Sequence, residues 1–359
     1  MFRATASLWL SCLFVGVLAP HPSIAEARIE KIQLADGIYQ FITSADGYVP
    51  NGNSVVVINE SDVLVFDTFS RPSSARQVLA EIKKLTPKPV RYVVNSHWHP
   101  DHWSGNEVFA VEFPGLEIIA SEETRRFMLN IANAWPSMYT SNLQKDEAEF
   151  QKEFSTNQLS DGTPLSPEQR AKDEALRQRD REYIGEALKV HRTYPTLTYT
   201  DRFVLYRGGR EFQFFSMTGD AAGTTVMYLP KEKILVTGDI LSYPVPYYTP
   251  PLSQHAHSLR MLSQFDTVTI IPGHGPAWHD HRFLNLELSL FDSIMDQVTH
   301  ALQKGLVTVE DVQKEVNVED LRPKFTSNDP DLDRKFRRFA KGMIENAYRE
   351  ARDGKKFEQ

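Results

Sequence analysis

Asn95-Ser96-His97-Trp98-His99-Pro100-Asp101-His102-Trp103-Ser104-Gly105-Asn106 decides how this chain is read. Three histidines and an aspartate fall within six residues, directly after the apolar run Tyr92-Val93-Val94. A strand ending in such a cluster presents several metal-binding side chains from one short turn. His97 and His99 are two apart, so they can point the same way as the chain leaves the strand. Asp101 and His102 follow where a helix could begin, displaced enough to serve a second ion. Imidazole and carboxylate, without thiolate, suit zinc and also accept iron or manganese. A polar turn that only hydrogen-bonds would use the same residue types. The dense spacing, and further candidate ligands at later strand ends, favour a metal centre.

Around this turn the pattern alternates between strand and helix. Residues 37–42, 54–59 and 63–67 read as strands, with a polar turn at Glu60-Ser61-Asp62. Residues 73–85 carry an apolar stripe through Ala75, Val78, Leu79 and Ile82, a helix stopped by Pro87. The strand from Arg91 delivers the histidine cluster, and residues 116–120 form another strand leading into a helix opened by Ser121. Residues 135–195 differ in character. Glu, Lys, Gln and Arg dominate, and Ser166-Pro167-Glu168-Gln169 is a helix start with Pro at its first position. This is a helical insertion, solvated for most of its length, with Trp135, Met138, Tyr139 and Tyr183 as the residues by which it would act as a lid. Strands resume at residues 202–206, 211–215, 224–229, 234–237 and 267–271, with a helix over 255–265. Beyond residue 283 the chain is helical, and Leu332, Phe336, Phe339, Met343 and Ala347 mark one buried face. Strand–helix alternation of this kind predicts an α/β layered sandwich.

Composition narrows the function. A hydrophobic fraction of 41% and a charged fraction of 24% describe an ordinary globular chain, long enough at 359 residues for a large core. The net charge of −7 argues against a nucleic-acid partner that needs a broad basic surface. Residues 1–25 read as a signal peptide: Arg3, an apolar run over residues 6–19, then Ser23-Ile24-Ala25 as a small-x-small cleavage site. The run is too short to span a bilayer comfortably, so the expectation is a periplasmic or secreted protein without stable membrane insertion. The one cysteine, Cys12, lies inside that segment. A processed chain would have no disulfide, no thiol nucleophile and no thiolate ligand.

Asp220, Asp239 and His274 also fall at strand ends, each beside glycine, which lets the backbone turn tightly toward a shared centre. With His97, His99, Asp101 and His102 they make seven candidate ligands, enough for two divalent ions. The series His97-Trp98-His99-Pro100-Asp101-His102, Gly238-Asp239 and Pro272-Gly273-His274-Gly275 resembles the successive motifs of the metallo-β-lactamase-fold hydrolases over about residues 30–282. The resemblance implies a four-layer αββα sandwich over residues 27–282, with the insertion at about 135–195 and a helical C-terminal extension at 283–359. It implies His97 and His99 on site one, Asp101, His102 and His274 on site two, and Asp239 bridging or on site two. Asp67 matches a further, structural position. In one place the chain departs from the pattern. Members carry a third site-one histidine where Asp220 stands here, so site one would be harder and more anionic, with manganese or iron admitted beside zinc. His255 or His257 are alternative replacements, whereas His279 and His281 read as exposed turn residues.

The chemistry implied is hydrolysis of a small-molecule substrate. A bound cation lowers the pKa of water to about 7, and the resulting hydroxide attacks a carbonyl or phosphoryl centre. Asp101 is placed to orient the nucleophile and carry its proton. Asp239 resembles the glyoxalase II, lactonase and phosphoesterase branches, which puts ester, lactone or related carbonyl hydrolysis first and β-lactam hydrolysis second. A metal-binding member that no longer catalyses is the third reading, motivated by Asp220. Substrate contacts are expected from variable loops, here the insertion and residues 243–251.

Overall fold

Valine, isoleucine, phenylalanine and tyrosine recur through the strands, as a pleated and largely covered surface requires. A computed structural model describes residues 29–43, 52–131, 135–159, 162–248 and 251–353, so the signal-peptide reading lies outside the described residues. The first sheet runs in chain order: β1 (Ile29–Ala35), β2 (Ile38–Thr43), β3 (Ser54–Ile58), β4 (Val63–Phe66), β5 (Val90–Val94), β6 (Glu117–Ser121) and β7 (Leu197–Tyr199). The first four strands are antiparallel and β4 to β7 are parallel. Parallel neighbours need crossovers. These are α1 (Pro72–Leu85), then α2 (Pro100–Trp103) with α3 (Asn106–Glu112), then α4 (Glu122–Ile131) with the hairpin of α5 (Trp135–Thr156) and α6 (Pro167–Ala187). The second sheet has β8 (Arg202–Arg207), β9 (Arg210–Met217), β10 (Thr224–Leu229), β11 (Ile234–Val236) and β12 (Thr269–Ile271), with β11 and β12 its parallel pair. A crossover helix, α7 (Leu252–Leu262), joins these two strands. Helices α8 (Arg282–Gln303), α9 (Val309–Glu315), α10 (Arg322–Thr326) and α11 (Pro330–Asp353) follow.

Period-two alternation divides the side chains among three packing interfaces. Val55, Val57, Leu64 and Phe66 point between the sheets, where they meet Phe212, Phe214, Met227 and Val236. Their neighbours Val56, Val63 and Val65 point the other way, onto Ala75, Val78 and Ile82 of α1. Val226, Leu235 and Ile270 on the outer face of the second sheet pack with Leu259 of α7, Phe291 of α8 and Phe336 of α11. The result is the expected αββα sandwich, and α8 and α11 supply much of its fourth layer. Cutting a buried leucine or phenylalanine in any of these clusters to alanine should cost about 2–5 kcal/mol.

Register then brings the site together. Phe66 pairs with Val94, so β4 and β5 end level, and the Asp67 N–H donates to the Val94 carbonyl at 2.8 Å. Val236 pairs with Ile271, so the Gly238-Asp239 turn and the Pro272-Gly273-His274 turn emerge side by side. The Thr225 N–H donates to the Ser96 carbonyl at 2.6 Å and ties the two sheets at this edge.

The insertion is docked at both ends. The Ser73 N–H and hydroxyl donate to Glu186 at 2.6 and 2.8 Å, and Lys172 pairs with Asp331 of α11. Ser166 caps α6 as expected, accepting from the Gln169 N–H at 3.1 Å. Tyr183 is buried, with Arg71 over its ring at 5.2 Å, so this residue packs inward rather than facing a substrate. The side chains of Trp135, Met138 and Tyr139 lie outside the described residues.

Candidate metal centre

All seven candidate ligands converge at the shared edge of the two sheets. Their donor atoms form two sets, His97, His99, Asp220 and Asp239 in one, Asp101, His102 and His274 in the other, with donors in each set within 4.8 Å of one another. In the first set, His97 Nε2 lies 2.9 Å from His99 Nδ1 and 3.7 Å from Asp220 Oδ1, and His99 Nδ1 is 2.9 Å from Asp220 Oδ2. In the second, Asp101 Oδ2 lies 3.4 Å from His102 Nε2 and 3.3 Å from His274 Nε2. Asp239 reaches both sets. One oxygen faces His102 Nε2 at 3.6 Å, while the other is 3.1 Å from His274 Nε2 and 4.0 Å from His97 Nε2.

Two of the imidazoles are oriented from behind. Ser96 donates its hydroxyl to Asp67 Oδ2 at 2.6 Å, so toward His97 Nδ1, at 2.9 Å, it can only accept. That assigns the proton of neutral His97 to Nδ1 and turns the Nε2 lone pair inward. Asp67 Oδ2 lies 2.8 Å from His102 Nδ1 and has the same effect there. Asn53 holds the last turn, donating to the Pro272 and Gly275 carbonyls at 2.8 and 2.7 Å. Gly273 is required by close approach, because an added Cβ would overlap the Asp239 carboxylate and press on the Gly238-Asp239 backbone.

The electrostatics fit divalent cations. Burial, with the charges of His102 and His99, pulls His97 well below its usual range and favours the neutral, lone-pair form. Burial opposes charge on His102 and His274, yet the surrounding carboxylates outweigh it. Asp101, Asp239 and Asp67 hold His102 well above its usual range, and Asp239 with Asp101 raises His274 to about 9. Burial likewise pushes Asp239 up, but His274 and His102 hold it well below the carboxylate range. The carboxylates draw His102 and His274 toward protonation, a place that a bound cation would take. His102 Nε2 and Asp239 Oδ1 are buried without a hydrogen-bond partner and face each other across 3.6 Å. Buried orphaned donors of this kind fit a metal ligand pair.

The alternative histidines do not join the cluster. His255 is fully buried in α7, donates from Nε2 to the Ile240 carbonyl at 2.9 Å and packs on Phe291, and burial lowers its pKa to about 4. His257 is exposed on the same helix. His279 and His281 instead bond Thr269 and Thr267, at 3.1 and 2.7 Å. Trp103 packs beneath the site, donating to the Trp98 carbonyl, whereas the half-buried Trp98 stands at the rim between His99 and Phe127.

Two further neighbours stand at the site, one from the 243–251 loop expected to contact substrate and one from a helix to which no sequence pattern pointed. Tyr247 from the loop after β11 sets its ring 5.3 Å from that of His274, and Lys335 of α11 donates to the Tyr247 hydroxyl at 3.1 Å. Burial lowers the Lys335 pKa to about 8. Phe339 backs Tyr247, and Tyr248 sits in a notch at Gly342, where an added Cβ would overlap its hydroxyl. The signal available was a tyrosine-rich loop, but nothing local linked it to a lysine in a distant helix.

Residues 47–274 match the model of the metallo-beta-lactamase superfamily. The linear primary-alkylsulfatase of Pseudomonas sp. (strain ATCC 19151) is 25% identical over 267 residues, covering 70% of this chain and 47% of the relative. The chain thus spans about half the length of that curated relative. Among solved structures, the stereoselective inverting sec-alkylsulfatase Pisa1 from Pseudomonas sp. superposes with a TM-score of 0.60 at 15% identity, over 89% of this chain and 50% of that one. A metallo-beta-lactamase from Pontibacter korlensis gives 0.53 at 18% identity, over 74% and 99%. At these identities the structural likenesses speak for the fold alone.

Proposed function

The chain belongs to the metallo-beta-lactamase superfamily, and from that premise we propose that it is an exported, metal-dependent hydrolase of esters, with alkyl sulfate esters the first class to try. The observation that carries the reading is Asp239, which groups with His97, His99 and Asp220 and whose oxygens also reach His102 and His274 of the other set. His97, His99 and Asp220 would hold one ion, Asp101, His102 and His274 the other, and Asp239 would touch both. Imidazole-rich donors favour zinc, while the added carboxylate of Asp220 admits manganese or iron. When bound, such ions lower the pKa of water toward about 7 and polarise the bond under attack.

The chain's own residues would do the rest. Asp101 is the most solvent-facing of the donor carboxylates, at 15% side-chain exposure. Burial acts to raise its pKa, yet His102 and His274 hold it well below the carboxylate range, so it stays ionised. An ionised carboxylate at the mouth can accept a hydrogen bond from a water and so orient it. Asp67 and Ser96 keep the His102 and His97 lone pairs aimed inward through the cycle. No nucleophilic serine elbow competes for the role.

The alkyl sulfate class is supported by the curated relative's name, and carboxylic esters and lactones by the carboxylate at Asp239. The test is turnover of an alkyl sulfate, a carboxylic ester, a lactone and a β-lactam by purified protein, before and after chelation and after return of each metal. Activity lost to chelator and restored by metal supports a hydrolase, and the preferred substrate names the branch. Two ions per chain with no turnover on any of the four would leave a non-catalytic metal-binding protein.

A further inference from the structure

We propose that Lys335 of α11, held on Tyr247, is the group that recognises substrate, and that the substrate carries a negative charge near the bond that is cut. This assignment rests on the hydrolase reading and names the substrate class for the same site. Lys335 Nζ lies 3.1 Å from the Tyr247 hydroxyl, 4.7 Å from the centre of that ring and 5.5 Å from the centre of the Phe339 ring. The Tyr247 ring stands against His274, one of the donors nearest the mouth. The ammonium is therefore one aromatic ring away from the metal centre.

Its pairing sets it apart from its neighbours on the helix. Arg334 pairs with Asp331, and Arg337 binds Glu319 through two nitrogens. Among the described residues, no carboxylate approaches Lys335 within 4.0 Å. A half-buried ammonium without an anion pays for lost hydration and recovers little from two aromatic faces. An incoming carboxylate, sulfate or phosphate would restore the missing partner, because charge-assisted hydrogen bonds are the strong ones. A purely structural lysine would gain more from snorkelling to solvent than from turning onto the ring beside His274. Beside His99, the half-buried rings of Trp98 and Phe127 pack 5.9 Å apart and offer an apolar surface for a chain attached to the anion.

An alkyl sulfonate, which keeps the charge and the chain but cannot be hydrolysed, is the probe, with inorganic sulfate to test the charge alone and the matching alcohol to test the chain alone. Binding is measured by calorimetry on metal-loaded and chelated protein. Lys335→Met keeps the stem and removes the charge, and Lys335→Arg restores a charge. The expected result is a sulfonate dissociation constant roughly 10- to 100-fold higher in Lys335→Met, from the loss of one hydrogen bond to a charged group, with most of the affinity regained in Lys335→Arg. Equal affinity of parent and a folded Lys335→Met protein overturns the assignment, and so does a parent that binds the alcohol as well as the sulfonate. If Lys335→Met does not fold, Tyr247→Phe decides, since it removes only the oxygen that holds Nζ, and unchanged affinity there overturns the assignment. Lys335-dependent sulfonate binding without turnover of any ester would keep the assignment and end the hydrolase reading. Ester turnover with binding indifferent to Lys335 would do the reverse.

Discussion

Asp67 tests the orientation of the centre most directly. Its buried carboxylate accepts from the Ser96 N–H at 2.7 Å and the Ser96 hydroxyl at 2.6 Å, and holds His102 Nδ1 at 2.8 Å. In Asp67→Ala the hydroxyl can rotate, but the Ser96 N–H and the His102 Nδ1–H stay buried and unpaired. At about 1–3 kcal/mol each, the two cost about 2–6 kcal/mol, a large share of the roughly 5–15 kcal/mol that holds a domain together. Asp67 also sits at a φ of 60°, where alanine adds about 1–2 kcal/mol of strain and asparagine adds little. Asp67→Asn is therefore the cleaner variant. It keeps an acceptor for Ser96 but removes the charge behind His102, and such carboxylate partners are worth about 10- to 100-fold in metal affinity, or about 1.4–2.7 kcal/mol. Because His102 touches Asp67 directly and His97 only through Ser96, the larger loss should fall on the ion of the His102 set. Competitive chelator titration reads the two affinities separately, and urea unfolding of chelated protein reads the stability. Parental affinity for both ions in Asp67→Asn, with less than about 1 kcal/mol lost in Asp67→Ala, would refute the reasoning.

Three further outcomes are expected. Asp220→Ala should drop metal content from two ions toward one per chain while Asp220→His keeps both; one ion in the parent itself would show that the first donor set is vestigial. Gly273→Ala should lower the affinity for both ions and cost about 1–3 kcal/mol from forced displacement of the Asp239 turn, so parental stoichiometry and denaturation midpoint would count against the close-approach account. Glu287 of α8 is fully buried, and burial raises its pKa well above the usual range against the pull of the Ser242 backbone. Between its unfolded and folded pKa the native state holds the extra proton, so stability should fall as pH rises from about 4.5. Glu287→Gln should flatten that slope and raise the melting temperature at pH 7, and an unchanged pH profile would sink the idea.

How much of this was legible beforehand depended on distance along the chain. The His97 to His102 turn announced itself because four donors share one loop. Asp239 and His274 were found through glycines that the packing does require, at least at Gly273. Asp220 stood out as the residue at the place where the family pattern has histidine, and the structure places its carboxylate on His99. The strand β7 was missed because three residues carry too little alternation to register. His255 was misleading in the opposite way: a histidine close in sequence to the Gly-Asp turn proved to be a buried helix residue bonded to a carbonyl. Lys335 was invisible for a plainer reason. Helical periodicity identified the apolar stripe of α11 through Phe336 and Met343, but it treats every lysine and arginine beside that stripe as interchangeable. Only tertiary packing separates the one turned onto Tyr247 from those paired on the surface.

The notch at Gly342 has a consequence for the order in which the molecule is built. The whole donor cluster, as far as His274, precedes α11 in the chain. Tyr248 cannot seat until the helix bearing its notch has docked, and Tyr247 and Lys335 take their places in that same event. The loop beside His274 and the terminal helix therefore seat together, and the surroundings of the donor cluster are complete only once α11 has docked.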